Sequence, residues 1–354
     1  MAKIETTTLP TGISSKPYII SSQEGEIIYI PLSKSVTRLL VTGEETDDAF
    51  AVVGSGGSQG DPIGFHYHRE AHDVFLCLKG QINVWADDQC RTLSSGDFAS
   101  VPPGTIHQYQ IVGPHSEMVG LIVPGGWEEF FRFIGEPYDG ATWPLEDDRN
   151  FFDVLLPKLK AAAEKFDMVP CPQHHGVEPQ SWAETDGRLP GSLKPYFVKN
   201  ATGPAYLAGG TLCRPLATTA ESGGKFSIGQ IEVSSHLKLH AGLFASSSRR
   251  LAFDHVHHAF LVVEGGLQVH VGNSKPAHLY AGEFVFVPKG IEFSIAAGSR
   301  FASFYAFANG PGLIELYQRL GSAHHLSTLP ESAAAWAESE LAALGKDIGC
   351  RLSL

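Results

Sequence analysis

The chain has 354 residues, enough for two domains with real cores, and 43% hydrophobic against 18% charged residues, with 38 Gly and 22 Pro, favours short strands joined by tight turns. A formal net charge of −12, with no clustered Lys and Arg, excludes nucleic acid and anionic membrane as the main partner. No apolar run approaches the roughly 18 to 20 residues that span a bilayer, and Met1 to Ser15 lack the pattern of a secretory signal, so a soluble cytoplasmic protein is expected.

In chain order, Ile27 to Ile30 and Leu76 to Trp85 read as period-2 strand segments. Between them, His66-Tyr-His68 places two imidazoles on one face of an extended segment, where they can chelate one ion. Asp73 follows at the start of an apolar run in which Cys77 reads as a buried thiol. Glu70 and His72 compete with Asp73 for an acidic or ligating role, but Asp73 shares strand parity with Phe75 and Cys77. The Pro102-Pro-Gly104 turn then starts a strand with His107, a third imidazole that could return across the interior. Three imidazoles suit Fe, Mn, Co, Ni, Cu or Zn. The five cysteines are scattered singly, as expected of reduced thiols, and exclude a zinc-thiolate cluster.

Asn150 to Phe166 is helical in period and composition, and Pro170 to Pro195 is rich in Pro, Gly and polar residues. From there the pattern repeats: Lys194-Pro-Tyr-Phe-Val198 matches Lys16-Pro-Tyr-Ile-Ile20. Arg214-Pro-Leu-Ala-Thr218 matches Arg38-Leu-Leu-Val-Thr42, and Phe226 matches Phe50. Gly282-Glu-Phe-Val-Phe-Val-Pro-Lys-Gly290 matches Gly96-Asp-Phe-Ala-Ser-Val-Pro-Pro-Gly104. A second-half insertion lies between Phe226 and Leu261. The division expected is residues 1–145, a connector 146–200 that is partly helical, and 201–354, an all-β pair of barrels or sandwiches with helices near the C-terminus, in Pro311 to Leu344. At the second-half positions matching His66, His68, Asp73 and His107 stand Leu251, Phe253, His258 and Phe293, so a structural second barrel is expected; Asp254 to His258 offers no ligand set at the same spacing.

These residues resemble the cupin superfamily. Its first motif combines a glycine, an HxH pair, an acid and a second glycine, matched by Gly60, His66, His68, Asp73 and Gly80; Asp stands where the motif has Glu. Its second motif is matched by Gly96, Pro102, Gly104 and His107, with Ile111 at the final Asn position. The resemblance implies two tandem cupin (jelly-roll) barrels. Within the superfamily the chain is similar to the fungal bicupin quercetin 2,3-dioxygenases, most tellingly over Leu93 to Pro102 and Glu117 to Glu128.

That resemblance implies a metal site in the N-terminal cupin alone, held by His66, His68 and His107. Asp73 is either a fourth ligand or a base beside the metal. One divalent transition metal is implied, Fe(II) first, with Ni, Mn or Cu as alternatives, together with a small aromatic substrate and O2. Phe75, Tyr109, Met118, Trp127 and Phe131 are candidate substrate contacts. The implied reaction is oxidative cleavage of a flavonol-like enol or phenol next to a carbonyl, with Asp73 as the catalytic base. The alternative is a non-oxidative cupin, an isomerase, cyclase or decarboxylase acting on a polyketide-like phenol. Cupins commonly bury an open sheet face by pairing, so a homodimer is expected.

Overall fold

The computed structural model describes residues 3–61, 64–235, 249–330 and 338–353. Pro62 and Ile63 of the HxH segment, part of the second-half insertion, and the first residues of the Ser332 to Leu344 helix lie outside these. Among the described residues the strands form two large, almost wholly antiparallel sheets, one in each of two compact units. No helix among them is long and apolar enough to cross a membrane.

One unit is Glu24–Thr202, and its central strands are His72–Ala86 and His107–Val123, paired antiparallel along most of their length. Alternation decides which side chains turn inward: Phe75, Cys77, Ile82 and Val84 project into one apolar cluster, which Met118 joins from the partner strand. Gly80, at φ +66°, lets the long strand bend, because a Cβ there would lie 2.4 Å from the His115 carbonyl oxygen. The helices Phe151–Val154 and Leu156–Lys165 occupy the stretch expected to be helical, and Ala162 and Met168 pack against Ile28, Phe130 and Ile134. A buried ion pair, Arg91 Nε to Asp186 Oδ2 at 2.9 Å, ties the polar part of the connector to the sheet, with Gln180 accepting from the same guanidinium at 2.8 Å.

The other unit is Met1–Gln23 with Gly203–Leu354. Residues 1–23 therefore group with the second half of the sequence, which differs from a division at residue 145. The reason lies in the repeated Lys-Pro-Tyr segments. Tyr18–Ile20 pairs antiparallel with Phe284–Phe286, whereas its repeat Tyr196–Val198 pairs with Phe98–Ser100 of the first unit. Each half of the repeat thus gives its edge strand to the sheet of the other half. Ile19 enters one core and Phe197 the other. The helical expectation over Pro311 to Leu344 holds for Leu313–Leu320 and, from residue 338, for Glu338–Asp347. Gly321 ends the first helix, and Ser322–Ala323 then pairs with Tyr206–Leu207 as a strand.

Candidate metal centre

The short strand His66–Tyr67 lies beside the start of the long returning strand, with His66 directly opposite His107. The Pro102-Pro-Gly104 turn sets that register: Gly104, at φ +83°, donates its N–H to the His68 carbonyl at 2.7 Å. The two histidine motifs are therefore stitched together by backbone. The ring centroids of His66, His68 and His107 lie 4.4 to 5.1 Å apart, and one nitrogen from each falls within 4.8 Å of the others.

Each imidazole is fixed from behind. His66 Nδ1 donates to the Gly64 carbonyl at 3.0 Å, His107 Nδ1 to the Thr105 carbonyl at 3.0 Å, and His68 Nδ1 to the Asp167 carbonyl. With Nδ1–H committed to an acceptor, the lone pair of each ring sits on Nε2, the tautomer that metal binding requires. Burial, reinforced by the neighbouring His107, pushes the His66 pKa down to about 3, so its ring is neutral at physiological pH.

Asp73 stands beside this group. Its Oδ2 lies 3.2 Å from His68 Nε2 and 3.3 Å from His107 Nε2, and the residue is buried. Burial alone would raise its pKa, but the His68 and His107 imidazoles outweigh that and hold the carboxyl well below its ordinary range. Burial likewise opposes charge on His68, and Asp73 again outweighs it, raising the His68 pKa. The competing candidates are placed elsewhere: His72 Nε2 meets Ser100 Oγ at 2.8 Å on the opposite face of the strand, and Glu70 is exposed.

A cavity partly open to solvent borders His66, His107 and Asp73. All five candidate substrate residues, Phe75, Tyr109, Met118, Trp127 and Phe131, line it, and apart from Ser55, Tyr109 and the site residues its walls are apolar. Trp127 stacks on Phe130 at 4.7 Å and turns its edge to His68 at the same distance. Burial, with the Asp73 charge adding to it, pushes the Tyr109 phenol up to about 12, so it stays protonated as a donor. Two contributors carry no motif that would reveal them in the sequence: Met168, which lines the cavity, and Asp167, whose carbonyl accepts from His68. Both follow the connector helix directly.

In the second unit the corresponding register is preserved without the three histidines. Leu251 pairs with Phe293 as His66 pairs with His107, and Leu251, Phe253 and Phe293 are each 1% exposed. His258 is enclosed by Phe253, Phe260 and Phe293, and its Nε2 accepts from the Leu313 N–H at 3.1 Å.

Two sheets of this topology, one carrying an HxH pair and a returning histidine beside an open cavity, have the two-cupin fold, and residues 55–124 match the cupin domain family. In particular the chain is similar to quercetin 2,3-dioxygenases. It is 27% identical over 323 residues to the enzyme of Aspergillus japonicus, a match covering 83% of this chain and 89% of that protein. It is 39% identical over 157 residues to that of Bacillus subtilis (strain 168), where the match covers 44% of this chain and 45% of the relative, less than half its length. A solved structure of an oxalate decarboxylase variant from B. subtilis aligns with a TM-score of 0.51 over 82% of this chain and 76% of its own, at 13% identity, a likeness of fold alone.

Proposed function

We propose that this protein is a metal-dependent dioxygenase that cleaves a flavonol-like aromatic substrate, one bearing an enol or phenol next to a carbonyl, with O2. The observation that carries this reading is a three-histidine group and one buried carboxylate at the edge of an aromatic-walled cavity. The similarity to quercetin 2,3-dioxygenases supports it.

The donor set fits a divalent transition ion. Three Nε2 lone pairs converge, His68 Nε2 and Asp73 Oδ1 are buried without a hydrogen bond, and the 3.2 Å between His68 and Asp73 lacks hydrogen-bond geometry. His66, His68 and His107 would hold the ion, with Fe(II) the first candidate over Ni, Mn and Cu. When bound, the ion acts as a Lewis acid and template that stabilises an enolate and orients the reactants. The protein supplies the rest. Asp73 takes the enol or phenol proton, being a buried carboxylate in the wall of the same cavity. Trp127, Phe131 and Phe75 receive the flat ring system and exclude water, and the Tyr109 hydroxyl donates a hydrogen bond to a substrate oxygen. Both atoms of O2 enter the products.

The test is oxygen uptake with a panel of flavonols and related enols by protein reconstituted with each candidate metal, with His66→Ala as control. Stoichiometric uptake abolished by His66→Ala is expected. Substrate turnover at an undiminished rate in anaerobic buffer would overturn the oxidative chemistry in favour of isomerisation, cyclisation or decarboxylation at the same site.

A further inference from the structure

We infer that Asp167, in the connector, is a positioning residue of the metal centre that sets both the orientation of the His68 ring and the span of backbone between His68 and Asp73. Four hydrogen bonds converge on it. Its carbonyl oxygen accepts from His68 Nδ1 and also from Trp127 Nε1 at 3.3 Å, so a metal-ligand candidate and the cavity wall share one acceptor. Its carboxylate accepts the N–H of Arg69 at 3.0 Å and of Glu70 at 2.7 Å, the residues that lead from His68 towards Asp73. The Arg69 guanidinium, at 3.5 Å and two-thirds exposed, adds little by comparison.

The residues that follow extend the clasp. Val169 and Pro170 pair antiparallel with Tyr67 and His66, and the Cys171 N–H donates to the Phe65 carbonyl at 2.8 Å. A mere tether between two folded units needs none of these bonds. The arrangement matters because an aspartate is one methylene shorter than a glutamate, so the reach of Asp73 is fixed by where its own main chain lies. Asp167 pins the segment that determines that place. Groups that orient ligands in this way typically govern metal affinity by about 10- to 100-fold.

The inference rests on the reading that the three histidines hold a metal, and the experiment separates the two. Full-length protein stripped by chelator is titrated with Co(II), recording affinity by competition and the visible spectrum of the bound ion, for wild type, His66→Ala, Asp167→Ala and Asp167→Asn. Asp97→Ala serves as the structural control, since Asp97 also accepts two backbone N–H groups, from Ser94 at 2.8 Å and Asn200 at 2.7 Å, in the same unit. The expected result is about a tenfold or greater loss of Co(II) affinity with an altered spectrum in Asp167→Ala. Asp167→Asn should recover much of that loss, and Asp97→Ala should melt earlier with affinity and spectrum unchanged. Equal losses in Asp167→Ala and Asp97→Ala, or none in Asp167→Ala, would overturn the positioning role. Failure of the wild type to bind one Co(II) would overturn the metal reading itself, and the inference with it.

Discussion

Asp73 is the residue on which the chemistry turns. If it moves a proton and three histidines hold the ion, Asp73→Asn retains one metal per chain while kcat falls by about 10²- to 10⁴-fold, as for loss of a general base. Elemental analysis beside steady-state rates checks this, and loss of the metal together with the rate would identify Asp73 as a ligand instead. His258, its counterpart in the second unit, supports a prediction about pH. Burial, aided by His257, lowers its pKa to about 3, so between the ordinary histidine value of 6.5 and about 3 the unfolded chain carries a proton that the folded chain refuses. Stability is therefore full above that window and falls with acidification through it, by about 1.4 kcal/mol per pH unit for this one group. In urea unfolding between pH 6 and 4.5, His258→Gln, which keeps an acceptor for the Leu313 N–H, should show a slope smaller by about one proton; an unchanged slope would refute the assignment. The three histidines were legible in the sequence because strand parity and turn spacing are local. Asp167 was not, because its carbonyl is one that any residue possesses and its carboxylate reaches the Arg69 and Glu70 N–H groups from about a hundred positions away.

Among the elements, the strands were the most readable. The segment read from Leu76 to Trp85 lies within the strand His72–Ala86, and Ile27 to Ile30 overlaps the strand Glu26–Tyr29. Helices were readable where a cap or proline marks them, as at Asn150, whose side chain accepts from the Phe152 N–H. The pairing of the Lys-Pro-Tyr strands was hidden, since the sequence shows that two segments repeat but not which sheet each joins. Their seating can be tested at the glycines they cover. A Cβ on Gly96 would lie 2.4 Å from Asn200 Cγ, and one on Gly282 would lie 2.3 Å from Ser22 Oγ; both glycines have positive φ, +86° and +90°. Gly96→Ala and Gly282→Ala should each destabilise by about 1–3 kcal/mol, combining backbone strain with displacement of the covering strand. Denaturation midpoints equal to wild type would show that the turns relax freely.

For the whole molecule, the contrast between a unit with the three-histidine group and a unit with an apolar equivalent predicts, on the proposed function, a stoichiometry of one metal per chain, reduced to none by His66→Ala. Deleting residues 1–23 should spare that metal and instead uncover the edge strand Phe284–Val287. Limited proteolysis with metal analysis checks this: early cleavage within residues 203–354 and retained metal are expected, and metal loss with an intact second unit would contradict it. The crossed strands also bear on how the chain is made. At roughly 5–20 residues per second, Tyr18–Ile20 leaves the ribosome well over ten seconds before its partner Phe284–Phe286 exists. During that wait an apolar strand, wholly enclosed in the finished protein at Tyr18 and Ile20, has no sheet of its own. The unit holding the three histidines is complete once Thr202 emerges, so it can mature first, while the opening residues of the chain are seated only after Phe284–Phe286 has been made.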